Sequence, residues 1–167
     1  MEELERLKKG YTNSIPSGIG IVKILVLSPS KSQDVLEKCK EVLETILEKS
    51  SNNVWPSFEE WASMLPQWFV LKCAKETSDE EDQEWLKWWR KLSPEEQIRA
   101  EKEAGWSLRA WIGWFEPEER QWFWWNAYIE NDTNLFIEIE IMGWPFAVGS
   151  LVWLLEASGA TSVSILD

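Results

Sequence analysis

Glu138 and Glu140 stand two apart in the run Leu135-Phe-Ile-Glu-Ile-Glu-Ile-Met142. On an extended strand such carboxylates share a face roughly 7 Å apart, a separation that glycoside hydrolysis can use. Catalytic pairs, however, flank a cleft from different elements, and alternate glutamates are ordinary on exposed strands, so the bland reading is preferred. Other reactive groups are scarce. The chain contains no histidine, which removes the commonest general base and the commonest metal ligand together and makes Ser-His-Asp and Cys-His sites impossible within it. Cys39 and Cys73 both fall in apolar helical patterns and read as small buried hydrophobes, with a disulfide between them left open. An oxygen-ligand cation site built from Glu138, Glu140 and Asn126 would lack any dedicated metal loop. We therefore expect a non-enzymatic protein with no cofactor and no metal.

The elements that must position these groups are two strand-like runs, Arg120 to Glu130 and Leu135 to Met142, joined by Asn-Asp-Thr-Asn, which predict a β-hairpin. Because side chains alternate along a strand, Leu135, Ile137, Ile139 and Ile141 form a core face, and Phe136, Glu138, Glu140 and Met142 the other. The same parity in the first run sets Phe123, Trp125, Ala127 and Ile129 against Trp122, Trp124, Asn126 and Tyr128. The latter set is unusually aromatic for an open face.

Upstream, residues 1–18 read as a charged, fraying start and a loop, without the basic start and apolar run of a secretory signal. Ile19 to Leu27 is a continuous apolar run, interrupted only by Lys23, and predicts an interior strand. Val35, Leu36, Cys39, Val42, Leu43, Ile46 and Leu47 then recur at helical spacing. Residues 51–118 form a tryptophan-rich insertion of short helices with start signals at Ser78/Glu81, Ser93/Pro94 and Ser107 and a stop at Gly105. Trp88-Trp89 and Trp124-Trp125 cannot both enter one core layer, so a member of each pair is expected at an edge, a cleft or a contact surface. After the hairpin, 145–158 predicts a helix apolar nearly all round, and Thr161 to Leu166 a last strand.

At 167 residues one domain is expected, divided as 1–18, 19–50, 51–118 and 119–167. Without the insertion the order is β, α, β, β, α, β, which predicts an α+β, ferredoxin-like (split βαβ) four-stranded antiparallel sheet with the first and third strands central. Lys23 then lies beside Glu138 and Glu140, predicting a cross-strand ion pair. The second sheet face, with Trp122, Trp124, Tyr128 and Phe136, is either core beneath the insertion or an open binding platform. We expect it to be covered, because fourteen tryptophans need burial.

The formal net charge is -12. Nucleic acid is excluded as a partner because its binding requires clustered Lys and Arg, and an anionic membrane surface is disfavoured for the same reason. No apolar run approaches the roughly 20 residues of a membrane helix, so a cytoplasmic protein is expected. The acidic run 78–84 is read mainly as a solvated helix start favoured by the helix dipole. Two functions remain. One is a protein-interaction domain that receives a partner, basic if charge steers it, through candidate residues Lys23, Arg120, Trp122, Trp124, Asn126, Tyr128, Glu138 and Glu140; self-association as a homodimer could accompany it. In composition the chain looks like the toxin-neutralising immunity proteins, which are commonly small and acidic. The alternative is a small-ligand or carbohydrate pocket, tryptophan-lined, between sheet and insertion.

Overall fold

The computed structural model describes residues 2–10, 15–29, 31–50 and 54–166. Its elements are α1 (Glu2–Lys9), β1 (Gly20–Leu27), α2 (Ser32–Lys49), α3 (Phe58–Met64), α4 (Gln67–Lys72), α5 (Asp79–Trp89), α6 (Pro94–Ala104), α7 (Leu108–Ile112), β2 (Trp122–Ile129), β3 (Asn134–Ile141), α8 (Gly149–Ala157) and β4 (Ser162–Leu166), with a 3-10 turn over Gly113–Phe115. The protein is α+β. Its four strands form one antiparallel sheet in the order β2-β3-β1-β4.

Core burial sets the register of the central strands. Leu135, Ile137 and Ile139 of β3 are fully buried, as are Ile24 and Val26 of β1, and each such side chain contributes about 2 kcal/mol. A one-residue slip would turn them all to the opposite face, so the pairing of Ile24 with Ile137 and of Val26 with Leu135 is strongly specified. On this face lie α2, through Val35, Cys39, Val42, Leu43 and Ile46, and α8, through Leu151, Leu154 and Leu155. Gly149 opens α8 where a Cβ would press to 3.1 Å on the Trp106 ring, and Gly159 ends it at a φ of +117°. The helix begins four residues later than the apolar run suggested, because Gly143 to Val148 follows an irregular path in which Ala147 N–H donates to Gln121 Oε1.

The insertion joins the same side of the sheet. Trp61, Phe69, Trp111 and Phe115 belong to the same core cluster as Ile139 and Ile141, and an aromatic chain runs Phe69, Trp111, Phe115, Trp122 with centroid separations of 4.6, 4.6 and 5.7 Å. Trp111 Nε1 donates to the Ser150 carbonyl and Trp122 Nε1 to Ser150 Oγ, which ties the insertion to α8. Trp68 Nε1 reaches Glu41 of α2. The expectation that these helices roof the second sheet face is therefore corrected: they widen the first helical layer. The start signals read from the sequence are in place, with a capping box at Ser78/Glu81, Ser93 and Ser107 accepting from the third residue on, and Gly105 at φ +67°; a further capping box at Ser57/Glu60, not read from the sequence, starts α3.

A second correction concerns the chain start. Residues 2–9 are not a fraying segment but a helix whose Leu7 enters the core and whose Arg6 is buried. Lys8 pairs with Glu48 of α2. Sequence boundaries 11–14 and 51–53, which fall in the expected opening loop and at the start of the insertion, lie outside the described residues.

Candidate functional site

The site is best built from the strand β2, because its alternation breaks in the middle. Trp122 pairs with Ile141 and Trp124 with Ile139, but the next pairing is Asn126 with Glu138, so Trp125 is an extra residue in a β-bulge. A bulge of this kind reverses which parity faces the core. Above it Trp122 and Trp124 point into the core at 3% and 2% exposure; below it Ala127 and Ile129 take that side, opposite Ile137 and Leu135. The expectation that Trp122 and Trp124 share the second face with Asn126 and Tyr128 is thus corrected. The sequence held the signal: the apolar positions 122, 124, 127 and 129 contain one step of three.

What remains on the second face is a compact group. Tyr128 and Phe136 are paired across the strands and stacked at 5.1 Å with a 20° interplanar angle. Lys23 of β1 carries its ammonium 5.5 Å from the Tyr128 centroid and 5.7 Å from that of Phe136, within the range of a cation–π contact. The ammonium titrates above its ordinary value, first because of the Tyr128 hydroxyl, with Glu138 adding a smaller push. Lys23 stands opposite Glu138 in register, yet no ion pair between them closes; Lys23 leans over the rings instead, and Glu138 Oε1 accepts from Asn126 Nδ2 at 3.3 Å. Leu25 and Leu166 extend the face over β1 and β4. Tyr128 is 39% exposed, and Lys23, Leu25, Asn126, Phe136 and Glu138 are part-exposed.

The other expected site residues have partners within the fold. Glu140 is buried, and its carboxylate accepts from the Gly18 backbone N–H at 2.5 Å and from Ser17 Oγ at 3.2 Å. Gly18 is required there, since a Cβ would collide with the Ile141 carbonyl oxygen. Glu138 and Glu140 therefore have separate hydrogen-bond partners. Arg120 forms a two-pronged ion pair with Glu3 of α1, at 2.7 and 3.1 Å, and its guanidinium lies 4.5 Å from the Phe123 ring centroid. Glu3 Oε1 also accepts from Trp124 N–H, while Arg6 Nε donates to the Trp124 carbonyl and its guanidinium covers Trp125 at 4.5 Å. These residues close the outer edge of β2, where an unpaired strand would otherwise be exposed.

Cys39 and Cys73 are both free thiols. Burial pushes Cys39 far above its ordinary value. Burial also pushes Cys73 up to about 11, opposed by the Trp153 indole and aided by Glu76. Neither is poised as a nucleophile. Among the described residues no three Cys, Asp or Glu side chains are grouped to hold a metal ion, and no helix is long and apolar enough to cross a membrane.

Two shallow concavities lie away from the sheet face. One, of about 210 Å³, is lined by Trp106, Trp153, Glu101 and Glu156 at the junction of α6 and α8; the other, of about 180 Å³, lies between α5 and α6. Both are smaller than the roughly 300 Å³ at which small-molecule pockets begin. No family model matches this chain, and neither does any curated protein or solved structure at a significant level.

Proposed function

We propose that this chain is a non-enzymatic protein-interaction domain that receives its partner on the second face of the sheet. The observation that carries the reading is the stacked Tyr128–Phe136 pair beneath Lys23, with Glu138 and Asn126 beside it, on a face where Tyr128 is 39% exposed and no helix among the described residues joins the core cluster from that side. Aromatic rings with a polar margin are what hot spots in protein interfaces are made of. A net charge of -12 would steer a basic partner toward it and make association fall with salt. The strand order fits a split βαβ, ferredoxin-like arrangement carrying a helical insertion, and such a sheet offers its uncovered face as a platform. The toxin-neutralising role that the small acidic composition suggests is one form this activity would take, in the cytoplasm.

The experiment is affinity capture with the wild-type chain and a Tyr128→Ala, Glu138→Lys variant, both checked for folding by circular dichroism. Recovery of one protein in stoichiometric amount by the wild type, lost with the variant, supports the reading. Equal recovery by a folded variant removes the sheet face as the site.

A further inference from the structure

The excursion from residue 75 to residue 105 has no evident task in the fold. It is closed at its base, where Ala74 N–H donates to the Trp106 carbonyl at 2.8 Å and Glu76 accepts from Arg109 N–H at 2.9 Å. Beyond that base none of its side chains enters the core cluster, and α5 has no buried residue at all. Yet α5 carries three tryptophans. Two of them explain themselves: Trp85 and Trp89 stack at 6.3 Å with a 20° angle, and Trp89 exchanges hydrogen bonds with Gln97, its Nε1 donating to the Gln97 carbonyl and Gln97 Nε2 to the Trp89 carbonyl, which holds α5 against α6. Trp88 meets Trp85 only at a tilt, 6.2 Å between centroids at 58°, and is 50% exposed.

Trp88 forms one wall of the concavity of about 180 Å³, with Leu92 from the turn that follows α5 and Glu96, Arg99, Ala100 and Glu103 from α6. This volume suits one protein side chain and not a drug-sized ligand. Glu81, Glu84 and Trp88 recur at helical spacing, so the exposed side of α5 leads from two carboxylates to the ring, with Lys91 one turn further on. Over residues 79–104 nine carboxylates face five bases, a net charge of -4. The arm is also preorganised, since both helices begin at satisfied caps, so little ordering cost opposes docking.

From this we infer that the α5–α6 arm is a second docking surface, for a basic amphipathic segment of another protein that seats an apolar side chain against Trp88 and Leu92 while its Lys and Arg residues meet Glu81, Glu84, Glu96 and Glu103. The charge decides the occupant: a second copy would bring the same acidic surface and net charge of -12 against this one. The inference is independent of the sheet face.

The test is titration calorimetry with an amidated Leu/Lys peptide whose leucines follow i, i+3, i+4, i+7 spacing, beside a Leu/Glu peptide of the same pattern. The Leu/Lys peptide should bind one to one, weaken about tenfold or more with Trp88→Ala, weaken also with the Glu96→Lys, Glu103→Lys variant, and bind unchanged to Tyr128→Ala. Absence of binding, equal binding of the Leu/Glu peptide, or insensitivity to either arm variant would overturn the inference. So would a wild-type dimer in sedimentation that Trp88→Ala dissociates, which would assign the face to a second copy. Should Trp88→Ala fail to fold, the glutamate variant alone decides.

Discussion

Glu3 satisfies three groups at once, two prongs of the Arg120 guanidinium and the Trp124 backbone N–H, with side-chain exposures of 14% for Glu3 and 8% for Arg120. Removing one partner of so enclosed a pair leaves the other charge without its counterion, which costs more than an exposed ion pair ever contributes. We expect Glu3→Ala to destabilise the fold by about 2–3 kcal/mol in urea unfolding, whereas an exposed pair such as Lys87 with Glu84 should be worth less than about 1 kcal/mol. The cysteines give a second prediction at this scale. With the Cys73 pKa raised to about 11, the folded state holds a proton that the unfolded state releases. Nothing is lost below the ordinary thiol value, and stability falls as pH rises from there through the folded value. In the native protein both thiols should resist iodoacetamide at pH 8, and both should react quickly in urea, as read by mass spectrometry. Rapid labelling of native Cys39 would contradict its placement.

At the scale of elements, α1 and the bulge in β2 are the two features on which the account turns. Deleting residues 2–9 should expose Trp125 and the outer edge of β2, lowering stability and promoting self-association, measured by thermal unfolding and sedimentation. An unchanged monomer would mean that the edge needs no cover. These are also the places where the sequence was least legible. The core face of β3, the amphipathic α2 and the caps at Ser78, Ser93 and Ser107 were readable because local periodicity and capping chemistry determine them. The bulge is different: Trp124-Trp125 offers two bulky residues in succession, and only cross-strand pairing decides which is the extra one. Helix α1 was missed because residues 2–9 are mostly charged, and their value lies in partners more than a hundred residues away, Arg120, Trp124 and Trp125. Of the expected site residues, Lys23, Asn126, Tyr128 and Glu138 share the face, while Trp122, Trp124, Glu140 and Arg120 serve the core, a clasp and an edge.

For the molecule as a whole, the insertion packs beside α2 and α8 instead of forming a third layer, and this placement leaves the second sheet face available. The fourteen tryptophans did not require that face for burial, because several extend the core sideways and others, such as Trp88 and Trp144, remain exposed. The central claim is that the Tyr128–Phe136 face is open in the free protein and occupied in the complex. Hydroxyl-radical footprinting read by mass spectrometry tests it most directly, with and without the captured partner. We expect Tyr128 and Phe136 to be oxidised in the free chain far faster than buried Trp61, Trp111 and Trp124, and to become protected on partner addition. Protection of Tyr128 and Phe136 in the free chain, or oxidation unchanged by a bound partner, would contradict the account.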